Sequence, residues 1–277
     1  MSHDTVLLIG HGSREPSGKE EFLRFAEEAR PHLGPEPVES CFIELAEPLV
    51  PEGLDRCVER GGRRVIALPV ILFAAGHVKV GISHELDKAK ARHPAVEFLY
   101  GRHLGLHPLL LEACEERLHE LEARFPGPAE ETAVLVVGRG SHDPDANSDL
   151  CKLGRLLWES GRYPRVEVCF IGITNPSLPD GLDRCLALGA KRIFVLPYFL
   201  FTGVLVPRIH RLSAAFEAAH PEIEVRVGEH LGGHPNVFKV LAERKAEARE
   251  GEARMNCALC HYRVRVPGHS HHVLAER

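Results

Sequence analysis

Short apolar runs alternate along the chain with longer stretches whose apolar residues recur at helical spacing. In the first half, the apolar runs predict strands near residues 5–9, 38–43, 64–70 and 95–100. The stretches between and after them predict helices near residues 17–32, 51–61, 79–92 and 107–124. Residues 65–73 are apolar throughout, which is typical of a strand buried on both faces. Alternating strands and helices predict right-handed crossovers and a parallel sheet.

The same pattern occurs twice, at an offset of 128 residues. Residues 6–13 return as 134–141, residues 38–43 as 166–171, and residues 51–57 as 179–185. The second half therefore predicts its own strands, near residues 133–137, 166–171, 192–198 and 223–228. We expect an α/β fold of two similar doubly wound domains, each with a central parallel four-stranded sheet flanked by helices.

A stretch of linker composition at residues 125–131 marks the boundary between the two copies. The predicted domains are residues 1–126, the half expected to be active, and residues 127–250, the half expected to have lost the catalytic residues. Residues 251–277 form a Cys/His tail that has no counterpart in the first copy.

Composition narrows the possible functions. The net charge is −5 with no local basic stripe, so we expect no nucleic-acid partner. No apolar run approaches the roughly 18 residues that a membrane span requires. The eight cysteines do not form a disulfide framework, because several recur at equivalent apolar positions of the two copies. They predict reduced, buried thiols and a cytoplasmic protein.

Positions at which the two copies differ are the best indicators of chemistry, since both copies must keep whatever the shared fold needs. Three reactive residues of the first copy are replaced in the second: His11 by Arg139, Glu44 by Gly172, and His77 by Leu205. Each follows a predicted strand, and the carboxyl ends of parallel strands share one edge of the sheet. The sequence therefore predicts that His11, Glu44 and His77 meet there.

Histidines that both copies keep serve as the comparison. His103 and His107 return as His230 and His234. We expect these four to hold a loop and a helix start rather than a ligand.

Two imidazoles and a carboxylate suit borderline divalent metals such as Co²⁺, Ni²⁺, Fe²⁺ or Zn²⁺. With only three protein ligands the metal keeps open positions, which a catalytic or transferred metal needs. Either histidine could also act as a base. The residues alone leave open a chelating enzyme and a non-catalytic nickel or cobalt carrier whose tail does the binding.

Three motifs occur in order at residues 8–14, 42–48 and 68–79. They resemble the class II tetrapyrrole chelatases of the CbiX/SirB type, and the resemblance extends to about residue 245. It implies a bilobal fold with the tetrapyrrole in the cleft between the lobes. It also implies that His11 and His77 bind the metal and assist deprotonation. The implied reaction is insertion of Co²⁺ into sirohydrochlorin in cobalamin biosynthesis. The alternative within this class is iron insertion for sirohaem.

Acidic groups on such a substrate require polar and cationic partners near the cleft. The residues predicted to bind the substrate are Ser13, Arg14, Lys79, Arg139 and Arg208. Glu44 joins the two histidines as a catalytic residue, because it is a further group able to accept a proton.

The tail resembles the extension of the long CbiX form. Cys257 and Cys260 fit a Met-x-Cys-x-x-Cys motif that is associated in this family with an iron–sulfur cluster. Two thiolates cannot complete a 4Fe-4S cluster, so a cluster needs other ligands or a second chain. A Zn²⁺ site that includes tail histidines is the alternative, and an unliganded tail is a third. The chain is accordingly expected to be a monomer or a homodimer.

Overall fold

The computed structural model describes residues 4–253. The first lobe contains β1 (Asp4–Gly10), α1 (Pro16–Leu33), β2 (Val38–Phe42), α2 (Val50–Glu59), β3 (Arg64–Pro69), a π-helical turn (His77–Gly81), α3 (Ile82–Arg92), β4 (Glu97–Tyr100) and α4 (Pro108–Arg124). A short 3₁₀ turn (Ala129–Glu131) leads to the second lobe. That lobe contains β5 (Thr132–Gly138), α5 (Pro144–Glu159), β6 (Arg165–Phe170), α6 (Leu178–Ala187), β7 (Arg192–Pro197), α7 (Leu205–Ala219), β8 (Glu224–Val227) and α8 (Pro235–Arg249).

Each lobe is built on a parallel four-stranded sheet. The strand orders are β2-β1-β3-β4 and β6-β5-β7-β8. Every residue of β1 and of β5 is buried, because both strands lie inside a sheet whose two faces are covered. The predicted fold class is confirmed: this is a bilobal α/β fold with two similar sheets flanked by helices.

A tight contact explains why both copies keep a glycine opposite the second strand of the sheet. A Cβ atom on Gly53 would lie 2.6 Å from the Cβ of Cys41, and one on Gly181 would lie 2.7 Å from the Cβ of Cys169. Only glycine therefore lets α2 and α6 approach their sheets this closely. These cysteines are free and buried, as predicted, but Cys151 is exposed on α5, contrary to the prediction.

The two lobes exchange their last helices. Helix α4 contacts β7 of the second sheet, and α8 contacts β3 and β4 of the first. Arg244 of α8 is fully buried and donates from Nη2 to the carbonyl of Leu104 at 2.8 Å. One hydrophobic cluster contains residues of both sheets, among them Val6 and Val134. The boundary near residue 126 thus separates the sheets but not the helices that cover them.

No helix among residues 4–253 combines the length and apolar character that a membrane span needs. Cys257 and Cys260 of the tail lie outside the described residues.

Candidate metal centre

Three loops at the carboxyl edge of the first sheet bring His11, Glu44 and His77 together. The Nδ1 atom of His11 lies 3.8 Å from Oε1 of Glu44, and Nε2 of His77 lies 4.0 Å from the same oxygen. The two imidazole rings are 5.5 Å apart between centroids and inclined at 72°. One ligand atom from each of the three residues can be chosen so that all lie within 4.8 Å of one another. This spacing allows one metal ion to be shared by all three.

A glycine fixes the distance between the first two loops. Gly12 has a φ of +96°, and a Cβ atom on it would lie 1.7 Å from the carbonyl oxygen of Glu44. The amide of Glu44 donates to the carbonyl of His11 at 3.1 Å, and the amide of Ile43 donates to that of Gly10 at 2.9 Å. The backbone therefore holds His11 and Glu44 in register before any ligand arrives.

The environment of His11 favours its neutral form. Burial lowers the pKa of this imidazole, and the positive charge of Arg139 lowers it further, while Glu44 acts in the opposite direction. Nη1 of Arg139 lies 3.3 Å from Nε2 of His11. A neutral imidazole keeps a lone pair that can coordinate a metal.

A cavity of about 610 Å³ opens between the two lobes beside this set. His11, Ser13, Arg14 and Arg139 are among the residues that line it, whereas Glu44 and His77 lie outside the lining, next to His11. Most of the wall is apolar, and its aromatic residues are Phe22, Phe42, Phe73, Phe170, Tyr198, Phe199 and Phe201. The volume lies within the range of small-molecule sites, and the mixture suits an apolar ligand that carries acidic groups.

Two of the residues predicted to bind the substrate do not reach this cavity. Lys79 is almost fully buried, and its Nζ lies 2.8 Å from Oδ2 of Asp143 and 2.7 Å from Oδ2 of Asp145. Arg208 is exposed on α7 and is not part of the lining. Lys79 is held by carboxylates of the second lobe, and Arg208 lies outside the lining, so neither side chain is placed to contact a ligand in this cavity.

Two of the four histidines shared by both copies, His107 and His234, cap helices as expected. Nδ1 of His107 accepts from the amide of Leu109 and caps α4, and Nδ1 of His234 accepts from the amide of Asn236 and caps α8. Their Nε2 atoms pair across the two exchanged helices, His107 with Glu243 at 2.8 Å and His234 with Glu116 at 3.1 Å.

Tyr198 is a residue of the cavity wall that was not predicted from the sequence. Its ring lines the cavity and stacks on Phe73 of the other lobe, with centroids 5.2 Å apart. The hydroxyl is buried and has no hydrogen-bond partner among residues 4–253, and burial raises its pKa well above the ordinary value. A signal was present in the sequence, because the equivalent residue of the first copy is Val70.

Both halves of the chain match one protein family. The CbiX family model matches residues 5–121 and again residues 133–248. A sirohydrochlorin cobaltochelatase of Priestia megaterium is 44% identical over 97% of this chain and 87% of its own length. A sirohydrochlorin ferrochelatase of the same organism is 36% identical over 87% of this chain and 89% of its own. The structure of SirB from Bacillus subtilis with Fe³⁺ superposes with a TM-score of 0.78 at 29% identity, covering 91% of this chain and 99% of that one.

Proposed function

This chain belongs to the CbiX family, and we propose that it is a sirohydrochlorin cobaltochelatase, which inserts Co²⁺ into the tetrapyrrole during cobalamin biosynthesis. The observation that carries the proposal is the set of His11, Glu44 and His77 beside a largely apolar cavity. The metal is a substrate here, so its site has to release it as well as bind it. Three ligands leave coordination positions open for the incoming pyrrole nitrogens.

Insertion exchanges two pyrrole N–H protons for one divalent cation. His11 lies on the cavity wall, so the metal it holds faces the tetrapyrrole. Glu44 lies within 4.0 Å of both imidazoles, which places a carboxylate where it can take up a proton from either ring. The apolar wall displaces water from the face of the macrocycle. Ser13, Arg14 and Arg139 line the same cavity and are positioned for the acidic groups of the substrate.

Cobalt is favoured over iron by the relatives rather than by the ligands, because two imidazoles and a carboxylate accept both metals. Of the two relatives from one organism, the cobalt enzyme is 44% identical to this chain and the iron enzyme 36% identical. Iron insertion for sirohaem is the alternative reaction for the same site. Offering sirohydrochlorin with Co²⁺, Fe²⁺ or Ni²⁺, and following its absorbance, distinguishes them.

The assignment of the metal ligands is tested by His11→Ala and His77→Ala. Each variant should lose insertion of Co²⁺ while keeping the circular dichroism spectrum of the parent. His119→Ala is the matched control, because His119 is exposed on α4 and is not part of the cavity. Normal turnover by both His11→Ala and His77→Ala would remove the basis of the proposal.

The tail provides a separate test against a metal carrier. Cys257 and Cys260 fit the Met-x-Cys-x-x-Cys pattern, and this is the support for a 4Fe-4S cluster or a Zn²⁺ site there. A chain that ends at residue 253 should still metallate sirohydrochlorin, since the family match ends at residue 248. A carrier whose tail binds the metal would lose its function on this truncation. Iron and zinc analysis of the full chain identifies the tail ligand, and a cluster shared between two tails would make the protein a homodimer.

A further inference from the structure

One side chain of the second lobe reaches into the metal set of the first. Nη1 of Arg139 lies 3.3 Å from Nε2 of His11. A guanidinium has only donors, so the lone pair of Nε2 must accept this hydrogen bond. His11 is then neutral and carries its proton on Nδ1, the nitrogen that lies 3.8 Å from Glu44. The lone pair of Nε2 is occupied by Arg139 and Nδ1 carries the proton, so neither nitrogen of His11 has a free lone pair for a metal.

We propose that Arg139 is a positioning residue that keeps His11 from the metal until an acidic group of the tetrapyrrole draws the guanidinium away. The inference rests on the proposed function, because the ligand that moves Arg139 is the tetrapyrrole substrate. It adds an order of events: the macrocycle enters the cleft, Arg139 turns to it, and His11 then coordinates the metal.

The surroundings of Arg139 suit such an exchange. Its side chain is exposed and lines the cavity, and no carboxylate among residues 4–253 forms an ion pair with it. The acceptor of the guanidinium is therefore the neutral imidazole of His11, and a negatively charged acceptor would bind it more strongly. A carboxylate carries the opposite charge and can accept two parallel hydrogen bonds from one guanidinium, whereas Nε2 of His11 accepts only one and is uncharged. A substrate carboxylate in the cavity would compete well with His11 for the same donor.

Charge repulsion acts in the same direction as the occupied lone pair. A divalent ion bound at His11 would lie close to the positive charge of Arg139. At a separation of about 6 Å this repulsion lowers metal affinity about tenfold, even with the dielectric constant of water. A carboxylate that neutralises and withdraws Arg139 removes that penalty. By linkage, the tetrapyrrole and the metal then each strengthen the binding of the other.

The repeat supports a dedicated role for Arg139. Its loop keeps the Gly-x-Gly-Ser pattern of the first copy, but arginine replaces the histidine at the second position. An arginine in place of His11 cannot ligate a metal, because it has no free lone pair. The backbone that presents His11 in one lobe thus presents, in the other, a cation directed at that same histidine.

Titration of the full chain with Co²⁺ alone tests the first half of the inference. Arg139→Met should bind Co²⁺ at the His11 site about tenfold more tightly than the parent. His11→Ala measures binding elsewhere in the chain, including the tail, and its signal is subtracted. Arg155→Met is the matched control, because Arg155 is an exposed arginine of α5 in the same lobe and is not part of the cavity. Its affinity for Co²⁺ should equal that of the parent.

Steady-state kinetics below saturation with sirohydrochlorin test the second half. In Arg139→Met the KM for Co²⁺ should fall and the KM for sirohydrochlorin should rise, whereas a general structural defect would raise both. Unchanged or weaker Co²⁺ binding by a folded Arg139→Met protein, or a joint rise of both KM values, would overturn the inference. If the parent does not metallate sirohydrochlorin at all, the proposed function fails, and the Co²⁺ titration still decides whether Arg139 restrains His11.

Discussion

Replacing Lys79 with methionine tests the tie between the two lobes. The ammonium lies 2.8 Å from Asp143 and 2.7 Å from Asp145, and the Lys79 side chain is 5% exposed. Its loss leaves two carboxylates, 1% and 16% exposed, without their cation. Removing one partner of a buried ion pair costs about 3–5 kcal/mol. We expect Lys79→Met to lose about 3 kcal/mol of the free energy of unfolding, the lower end of this range, because Asp145 keeps some contact with water.

Lys191→Met is the matched control. Lys191 pairs with Glu131 at a similar distance, 2.9 Å, but the two side chains are 67% and 39% exposed. An exposed pair of this kind contributes at most about 1 kcal/mol. Urea unfolding of both variants, with midpoints and slopes compared with the parent, measures the difference. If Lys79→Met and Lys191→Met lose equally small amounts of the free energy of unfolding, Lys79 does not hold the lobes together.

The same tie has a consequence for the metal centre. Lys79 lies two residues after His77, within one π-helical turn, so the carboxylates that hold Lys79 also hold the turn that carries His77. Lys79→Met should therefore weaken Co²⁺ binding as well as stability. Adding Asp145→Asn to Lys79→Met should recover part of the stability, since one uncompensated carboxylate is removed. If the second substitution recovers no stability, the loss in Lys79→Met is not caused by uncompensated charge.

Three further predictions follow from single contacts. Gly12→Ala should lower the free energy of unfolding by more than about 2 kcal/mol and abolish Co²⁺ binding, because its Cβ would meet the carbonyl of Glu44. Gly61→Ala is the control, because Gly61 has a φ of +87° but open space around it. Thermal unfolding should show a loss of only about 1 kcal/mol for this variant. Tyr198→Phe should leave stability unchanged or raise it by up to about 1 kcal/mol, because the lost hydroxyl has no partner among residues 4–253; a larger loss in urea unfolding would contradict this. Burial lowers the pKa of His103 to about 4, below the value of about 6.5 in an unfolded chain. Unfolding therefore takes up a proton, and the free energy of unfolding should fall as the pH falls from 6.5 towards 4. In His103→Gln the urea midpoint should fall less steeply over this pH range.

Most of the fold could be predicted because strands buried on both faces are unambiguous in sequence. The run at residues 64–70 became β3 (Arg64–Pro69), one residue shorter than predicted. The helix predicted near residues 79–92 begins two residues earlier, with the π-helical turn at His77. That α4 and α8 each cover the sheet of the other lobe could not be predicted from the sequence. Each of the two helices follows the last strand of its own copy, and the lobe that it covers depends on how the connecting loop directs it.

The differences between the two copies predicted the cluster of His11, Glu44 and His77, but not the full lining of the cavity. His11, Glu44 and His77 could be found because each is a reactive residue that the other copy lacks. Lys79 and Arg208 were chosen for their charge, and charge does not tell which way a side chain points. Lys79 was predicted to meet the substrate, yet its partner Asp143 lies 64 residues further along the chain. No local pattern reveals such a long-range pair.

The second lobe carries Arg139, Gly172 and Leu205 at the positions of the proposed metal ligands, but it is not a passive spacer. It contributes Arg139 against His11, Asp143 against Lys79, and Tyr198 against Phe73 of the cavity wall. The equivalents of Arg139, Asp143 and Tyr198 in the first copy are His11, Glu15 and Val70, so each contact is made at a position where the copies differ. Two identical copies could not make these contacts in one direction only. The positions at which the copies differ therefore let the second lobe contact His11, hold Lys79 and contribute to the cavity wall beside the proposed metal ligands.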